Sequence, residues 1–214
     1  MIEAVIFDMD GVILDSEHSI REAEVDTFKK FGIPATTELV SQYTGIRFDD
    51  EVKDIGRRFG ANLSVEEVRL VQDQSMEYYY RKIVPLVPHI RETLDKLNPL
   101  YALGLATMKD EKVANLALQR LKLTAYFRAF TFADDVKNGK PNPEAFLRTA
   151  KLLNIDPKRC AVVEDSNPGF IAGKAAGMLV IARRADHNGG IDFSPADSIV
   201  EDVREIPKIL ASLA

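Results

Sequence analysis

The chain reads as an α/β protein, a doubly wound, mainly parallel Rossmann-like sheet interrupted by an inserted all-helical domain. Three observations predict this. Short unbroken apolar runs recur along the chain, as strands buried on both faces require. Helical or turn-rich stretches separate them, the alternation that produces a parallel sheet. More than eighty residues lie between the first run and the second, far beyond an ordinary crossover connection.

Taken in order, the first strand is Ala4-Val5-Ile6-Phe7, which ends in charge and then Gly11. From about Glu17 to Ile83 the pattern turns helical. Ile20, Ala23, Phe28 and Phe31 share a face, Ser64 and Glu67 have capping-box spacing, and Val68, Val71, Met76, Tyr79 and Ile83 continue one stripe. Pro85 and Pro88 bracket the return to the sheet, so the expected division is an α/β core at 1–15 and 85–214 with a helical domain at 16–84. Further strands are expected at 102–106, 129–132, 161–163 and 179–182. Asn142-Pro143 and Asn167-Pro168 each offer an N-cap side chain followed by a first-turn proline. The last helix carries Val203, Ile206, Ile209, Leu210 and Leu213 at helical spacing.

With 46% hydrophobic and 29% charged residues the composition is that of a folded chain and excludes a disordered or fibrous one. A net charge of −5 offers no overall field for nucleic acid or anionic lipid, so neither is an expected partner. No apolar run approaches the roughly 18 residues of a membrane span, and Glu3, Asp8 and Asp10 interrupt any signal-type apolar region. The single cysteine, Cys160, makes neither an internal disulfide nor a thiolate zinc site. The expectation is a cytoplasmic monomer.

The strongest chemical signal is Asp8-Met9-Asp10-Gly11, directly after the first strand. Residues two apart on a strand point the same way, so both carboxylates face the crevice at the carboxyl end of the sheet. Such a pair is tolerated by sharing a proton or by holding a divalent cation. An EF-hand loop is excluded, because Val12 occupies the third ligand position and Gly11 comes too early. Glu164-Asp165 follows a second buried run; it either completes an all-oxygen site suited to Mg²⁺ with Asp8 and Asp10, or is an acidic helix-capping turn. Lys140, before a helix start, is either a counter-charge to these acids or an ordinary surface lysine. Thr107 ends a strand, where its hydroxyl and the backbone N–H groups that follow, beginning with Met108, can hold phosphate oxygens.

In the order acidic pair, hydroxyl, lysine, acidic pair, the chain resembles a haloacid dehalogenase superfamily hydrolase with a helical cap inserted after the first strand, the group that includes beta-phosphoglucomutase and many small-molecule phosphatases. The likeness runs through Asp8-Met9-Asp10-Gly11, Thr107, Lys140-Pro141-Asn142-Pro143, Glu164-Asp165-Ser166, Gly169, Ala172 and Ala175-Ala176-Gly177-Met178, nearly the whole chain. The resemblance implies Asp8 as nucleophile forming an aspartyl-phosphate, Asp10 as general acid and base, phosphate held by Thr107, Met108 and Lys140, and Mg²⁺ held by Asp8, Asp10, Glu164 and Asp165. A second aspartate sets it apart from the dehalogenases. The implied activity is hydrolysis of a small phosphorylated metabolite, a sugar phosphate being the natural choice, with a phosphomutase as first alternative and a non-catalytic binding module as second.

Three departures favour hydrolysis over mutase chemistry. Ile20 stands where the mutases carry a cap histidine, with His18 two residues early; Ser75 lies near the place of the mutase cap lysine; and Lys109 replaces a second small hydroxyl. His89 and His187 fall in expected loops without metal spacing and read as exposed or locally bonded. Tyr78, Tyr79 and Tyr80 are expected to divide between core and surface, and any of them, with Arg47, Arg81 or Lys82, could contact substrate.

Overall fold

The computed structural model describes residues 1–43 and 48–212. Arg47 and Leu213, named above, lie outside them. The chain divides into two units, Met1–Asp15 with Pro85–Ala214, and Ser16–Val84.

The first unit is built on six parallel strands: β1 (Ala4–Phe7), β2 (Ala102–Ala106), β3 (Ala129–Thr131), β4 (Cys160–Glu164), β5 (Leu179–Arg183) and β6 (Ser198–Val200). They lie in the order β3-β2-β1-β4-β5-β6, so the sheet is all-parallel and the order reverses beside β1. In such sheets ligands bind outside the carboxyl ends of the strands at the reversal. Phe7 pairs with Leu105 on one side and Val163 on the other. The residues that follow these three, Asp8, Ala106-Thr107 and Glu164-Asp165, therefore leave the sheet side by side. β1 is buried throughout, which is why its sequence has no polar alternation.

Between the strands run α5 (Ile90–Leu97), α6 (Glu111–Arg120), α7 (Glu144–Leu153) and α8 (Asn167–Ala175), and α9 (Ile206–Ser212) follows β6. One core cluster joins Ala4, Ile6, Phe146, Val162 and Met178; another joins Phe170, Val180, Ala182 and Phe193. β6 has no counterpart in the sequence reading, because Ser198-Ile199-Val200 is too short and too exposed to stand out. The last helix starts later than its stripe suggests, with a 3₁₀ turn at Val203–Glu205 ahead of α9. In α8 the cap sits one residue earlier than expected. The Ser166 hydroxyl accepts from the Gly169 N–H (3.2 Å), while Asn167 donates to the Asp192 carbonyl (2.8 Å).

The second unit contains α1 (Glu17–Lys30), α2 (Thr37–Ser41), α3 (Phe48–Phe59) and α4 (Val65–Lys82). Val25, Phe28, Ile33, Leu39, Val52, Ile55 and Val68 make its apolar cluster. The Ser64 hydroxyl accepts from Glu67 N–H at the start of α4. The buried stripe of α4 is not the one expected: it runs through Val68, Gln72, Ser75 and Tyr79, whereas Ile83 is exposed. Of its polar members Ser75 finds partners, whereas Gln72 Oε1 meets no donor among the described residues. Ser75 accepts from Thr27 (3.3 Å) and from Lys30 (3.4 Å). Tyr80 is fully buried, Tyr79 donates to Asp26 (2.9 Å), and Tyr78 is exposed.

Glu51 of α3 is buried, and its Oε1 meets no hydrogen-bond donor among the described residues. Burial, with Glu24 adding to it, pushes its carboxyl from the ordinary 4.5 up to about 8. The folded chain thus holds this proton more tightly than the unfolded one. The stability it contributes is complete below the ordinary value and drains away as pH rises toward the folded one. Glu51→Gln, uncharged and similar in shape, is expected to gain stability over wild type at pH 8 relative to pH 5, read from urea midpoints. A difference that stays constant across that range would place the titrating group elsewhere.

Candidate active site

β1 delivers Asp8 to the end of the sheet, where its backbone N–H still donates to the Val163 carbonyl (2.9 Å). The chain then turns sharply. Ile13 and Leu14 N–H groups both return to the Met9 carbonyl (2.9 and 2.8 Å), and Gly11 takes a positive φ of 72°. A side chain at Gly11 would be strained on that ground alone, and its Cβ would also run into the Asp165 carboxylate. The glycine thus lets the first acidic segment approach the second.

Lys140 comes from the loop before α7. That loop is held by Glu144, whose carboxylate accepts from the Lys137 and Asn138 N–H groups (2.9 and 3.0 Å). Asn142 in turn accepts from Glu144 N–H (3.0 Å). The Lys140 ammonium is buried. It bonds to Asp8 Oδ1, to Glu164 Oε1 (2.6 Å) and to the Ala106 carbonyl (3.4 Å), and it lies 4.8 Å from the centre of the Phe146 ring. It is therefore no surface lysine.

Glu164 is almost wholly enclosed. Its Oε2 accepts from Asp165 N–H (2.7 Å), Ser166 N–H (2.7 Å) and the Ser166 hydroxyl (2.9 Å), so only Oε1 has capacity left, beside Lys140. Gly169 in the first turn of α8 makes room: a Cβ there would overlap the Glu164 carboxylate. Thr107 is buried at the end of β2, where its Oγ1 accepts from Lys109 N–H (3.1 Å). Met108, half-buried between them, packs on the core under the lysine loop.

The electrostatics follow from this crowding. Burial pushes the Asp8 carboxyl well above the usual carboxylate range; Lys140 pulls it back, while Glu164, Asp165 and Asp10 add to the rise. Burial alone would lower the Lys140 ammonium, but Asp8 and Glu164 outweigh it and hold it above the usual lysine value. Burial also raises Asp165, against the pull of His187. Four acids crowd a single ammonium here, and a further cation beside them would favour their ionised forms. Among the described residues no three His, Cys, Asp or Glu side chains form a ready-made metal cage. The donors present are carboxylate and carbonyl oxygens, and this sparse set fits Mg²⁺, which keeps several waters and takes one or two carboxylates together with substrate phosphate.

Sequence reasoning missed part of the surroundings. His187 Nε2 lies 2.7 Å from Asp165 Oδ2, Asn188 Nδ2 donates to the Asp165 carbonyl (2.7 Å), and buried Arg183 donates to the Gly11 carbonyl (2.5 Å). The histidine's partner lies 22 positions away and no spacing rule connects them. His18 points to solvent with its side chain 81% exposed, and His89 pairs loosely with Glu92 (3.9 Å).

A parallel sheet with carboxylates and a bridging lysine at its order reversal defines an α/β protein with an acidic site at the end where such sheets bind ligands. The chain belongs to the haloacid dehalogenase-like hydrolases, whose family model matches residues 5–183. It is similar to the phosphorylated carbohydrates phosphatase of Thermotoga maritima, 33% identical over 83% of this chain and 82% of that protein. It is also similar to the beta-phosphoglucomutase of Bacillus subtilis, 30% identical over 84% of this chain and 82% of that one. A solved structure from Thermotoga maritima, given as a candidate beta-phosphoglucomutase, superposes with a TM-score of 0.85 at 30% identity, covering all of both chains. Among the described residues no helix is long and apolar enough to cross a membrane.

Proposed function

We propose that this hydrolase is a phosphoric monoester hydrolase, a Mg²⁺-dependent phosphatase that acts on a small phosphorylated carbohydrate through an aspartyl-phosphate on Asp8. The observation that carries the reading is Asp8 itself, a buried carboxylate tied to Lys140 at the sheet's order reversal. The phosphatase and mutase among its relatives support the same substrate class.

In this reading an Asp8 carboxylate oxygen attacks phosphorus, the ester P–O bond breaks, and Asp10 delivers a proton to the departing oxygen. Asp10 then takes a proton from water as the water attacks the phosphoaspartate, and inorganic phosphate leaves. Lys140, the Thr107 hydroxyl and the Met108 N–H neutralise phosphoryl oxygens, which is most of what this reaction asks of a protein. Asp8, the Asp10 carbonyl, Glu164 and Asp165 would hold the cation. Bound there, Mg²⁺ supplies positive charge that keeps Asp8 ionised and draws electron density from the phosphoryl group.

A phosphate-release screen over sugar phosphates, nucleotides, phosphoglycolate and small phosphorylated acids tests this, with Mg²⁺ present and with it chelated. Release that is strongest with a sugar phosphate and lost on chelation is the expected result. Incubation with beta-glucose 1-phosphate and a trace of the bisphosphate separates the two relatives' chemistries: inorganic phosphate marks a phosphatase, glucose 6-phosphate a mutase. Ile20 at the position of the mutase histidine favours the first. No turnover of any ester would leave a non-catalytic binding module.

A further inference from the structure

The turn after β5 carries a device aimed at Asp165. Asn188, buried, ties the turn to itself and to the acidic segment at once. Its Nδ2 donates to the Arg183 carbonyl (2.9 Å) and to the Asp165 carbonyl (2.7 Å), and its Oδ1 accepts from Ala185 N–H (2.8 Å). This strut sets His187 with Nε2 2.7 Å from Asp165 Oδ2. When Asp165 is ionised, as a cation ligand must be, its oxygens only accept and the histidine Nε2 is the donor of this contact. Gly11 packs against the same oxygen, since a Cβ there would overlap Asp165 Oδ2, and Arg183 holds the Gly11 carbonyl (2.5 Å). Among the described residues no hydrogen bond falls on Oδ1.

We propose that His187 is a positioning residue that commits one oxygen of Asp165 and leaves the other as a one-oxygen ligand, so that the site prefers Mg²⁺ over Ca²⁺. The inference rests on the metal-dependent reading above. Its logic is coordination chemistry. Mg²⁺ requires a near-octahedral set at about 2.0–2.1 Å and is satisfied by single carboxylate oxygens, whereas Ca²⁺ takes six to eight oxygens at about 2.3–2.6 Å and gains from bidentate carboxylates. A hydrogen bond that occupies Oδ2 penalises the second geometry and orients the first. Partners that orient a ligand in this way alter metal affinity by about 10–100-fold when removed.

The test is calorimetric titration of the metal-free full chain with MgCl₂ and separately with CaCl₂, for wild type, His187→Ala and His187→Gln. In His187→Ala the Mg²⁺ Kd is expected to rise about tenfold or more, and the Mg²⁺ over Ca²⁺ preference to shrink by a similar factor. His187→Gln, which keeps an N–H donor at similar reach, is expected to recover most of both. Wild-type values in His187→Ala overturn the proposal, and so does an equal loss in both variants, which marks a merely structural residue. Should the wild type bind no Mg²⁺, the metal reading and this inference fail together; binding that is indifferent to residue 187 removes the inference alone.

Discussion

Asp8→Asn protein is expected to fold and yet to release phosphate at least about a thousandfold more slowly than wild type. The substitution changes little in shape. The asparagine amide oxygen still accepts from Lys140, and Lys140 keeps Glu164 as its counter-charge. What disappears is the only group proposed to form a bond to phosphorus, because a neutral amide oxygen is a poor nucleophile. Stability should not suffer. Burial and three neighbouring acids already raise the Asp8 carboxyl in the folded chain, so its ionisation costs the fold stability as pH rises, and a neutral residue is free of that cost. Asp10→Asn offers the contrast. Asp8 remains able to attack an ester with a good leaving group, such as p-nitrophenyl phosphate, but no base then activates water, so a phosphorylated protein should accumulate after one turnover. Steady-state phosphate release and the mass of rapidly quenched protein read both. Near-normal turnover by Asp8→Asn would remove Asp8 from the nucleophile's role, whatever else the site does.

Which parts of this arrangement could be read from sequence follows from how far apart the cooperating residues lie. β1 and β2 are written in uninterrupted apolar runs, because a strand covered on both faces leaves no position for a polar residue. Asp8 and Thr107 stand directly after strands, Glu164 at the end of one and Lys140 shortly before a helix, where local pattern marks them. Other features depend on contacts that no local pattern encodes. Gln72 and Ser75 sit on the buried stripe of α4, and the side chains that accommodate Ser75 come from α1. β6 is a strand only because β5 offers it an edge. His187 and Arg183 become meaningful when the turn after β5 folds back against Asp165 and Gly11. Gly11 and Gly169 are instructive in between. Their presence is visible in the sequence, but the reason for it, a carboxylate lying where a Cβ would be, is visible only once the two acidic segments are side by side.

Lys140→Met should be the most damaging single change, to stability as well as to catalysis. The ammonium is the only cation bonded to Asp8 and Glu164 among the described residues, and all three side chains are at least nine-tenths buried. Removing one partner of such a group leaves buried charge uncompensated, which typically costs about 3–5 kcal/mol. The cost must depend on pH in a definite direction. Without Lys140 the Asp8 carboxyl loses the one influence that lowers it and rises further above its ordinary 3.8. A group raised in the folded state contributes its stability below the ordinary value and forfeits it as pH climbs through the folded one. The deficit of Lys140→Met relative to wild type should therefore be small near pH 4 and grow toward pH 8, measured by urea unfolding with chelator present. Turnover should fall by about three orders of magnitude at any pH where the protein remains folded, since a phosphoryl oxygen loses its fixed cation. Lys140→Arg separates the two effects. It retains the charge, and so most of the stability, but its planar fork cannot occupy the narrow position between Asp8 and Glu164 above the Phe146 ring. Activity that survives in Lys140→Arg would mean that charge alone suffices there; activity lost while stability is kept would mean that the ammonium acts by where it points.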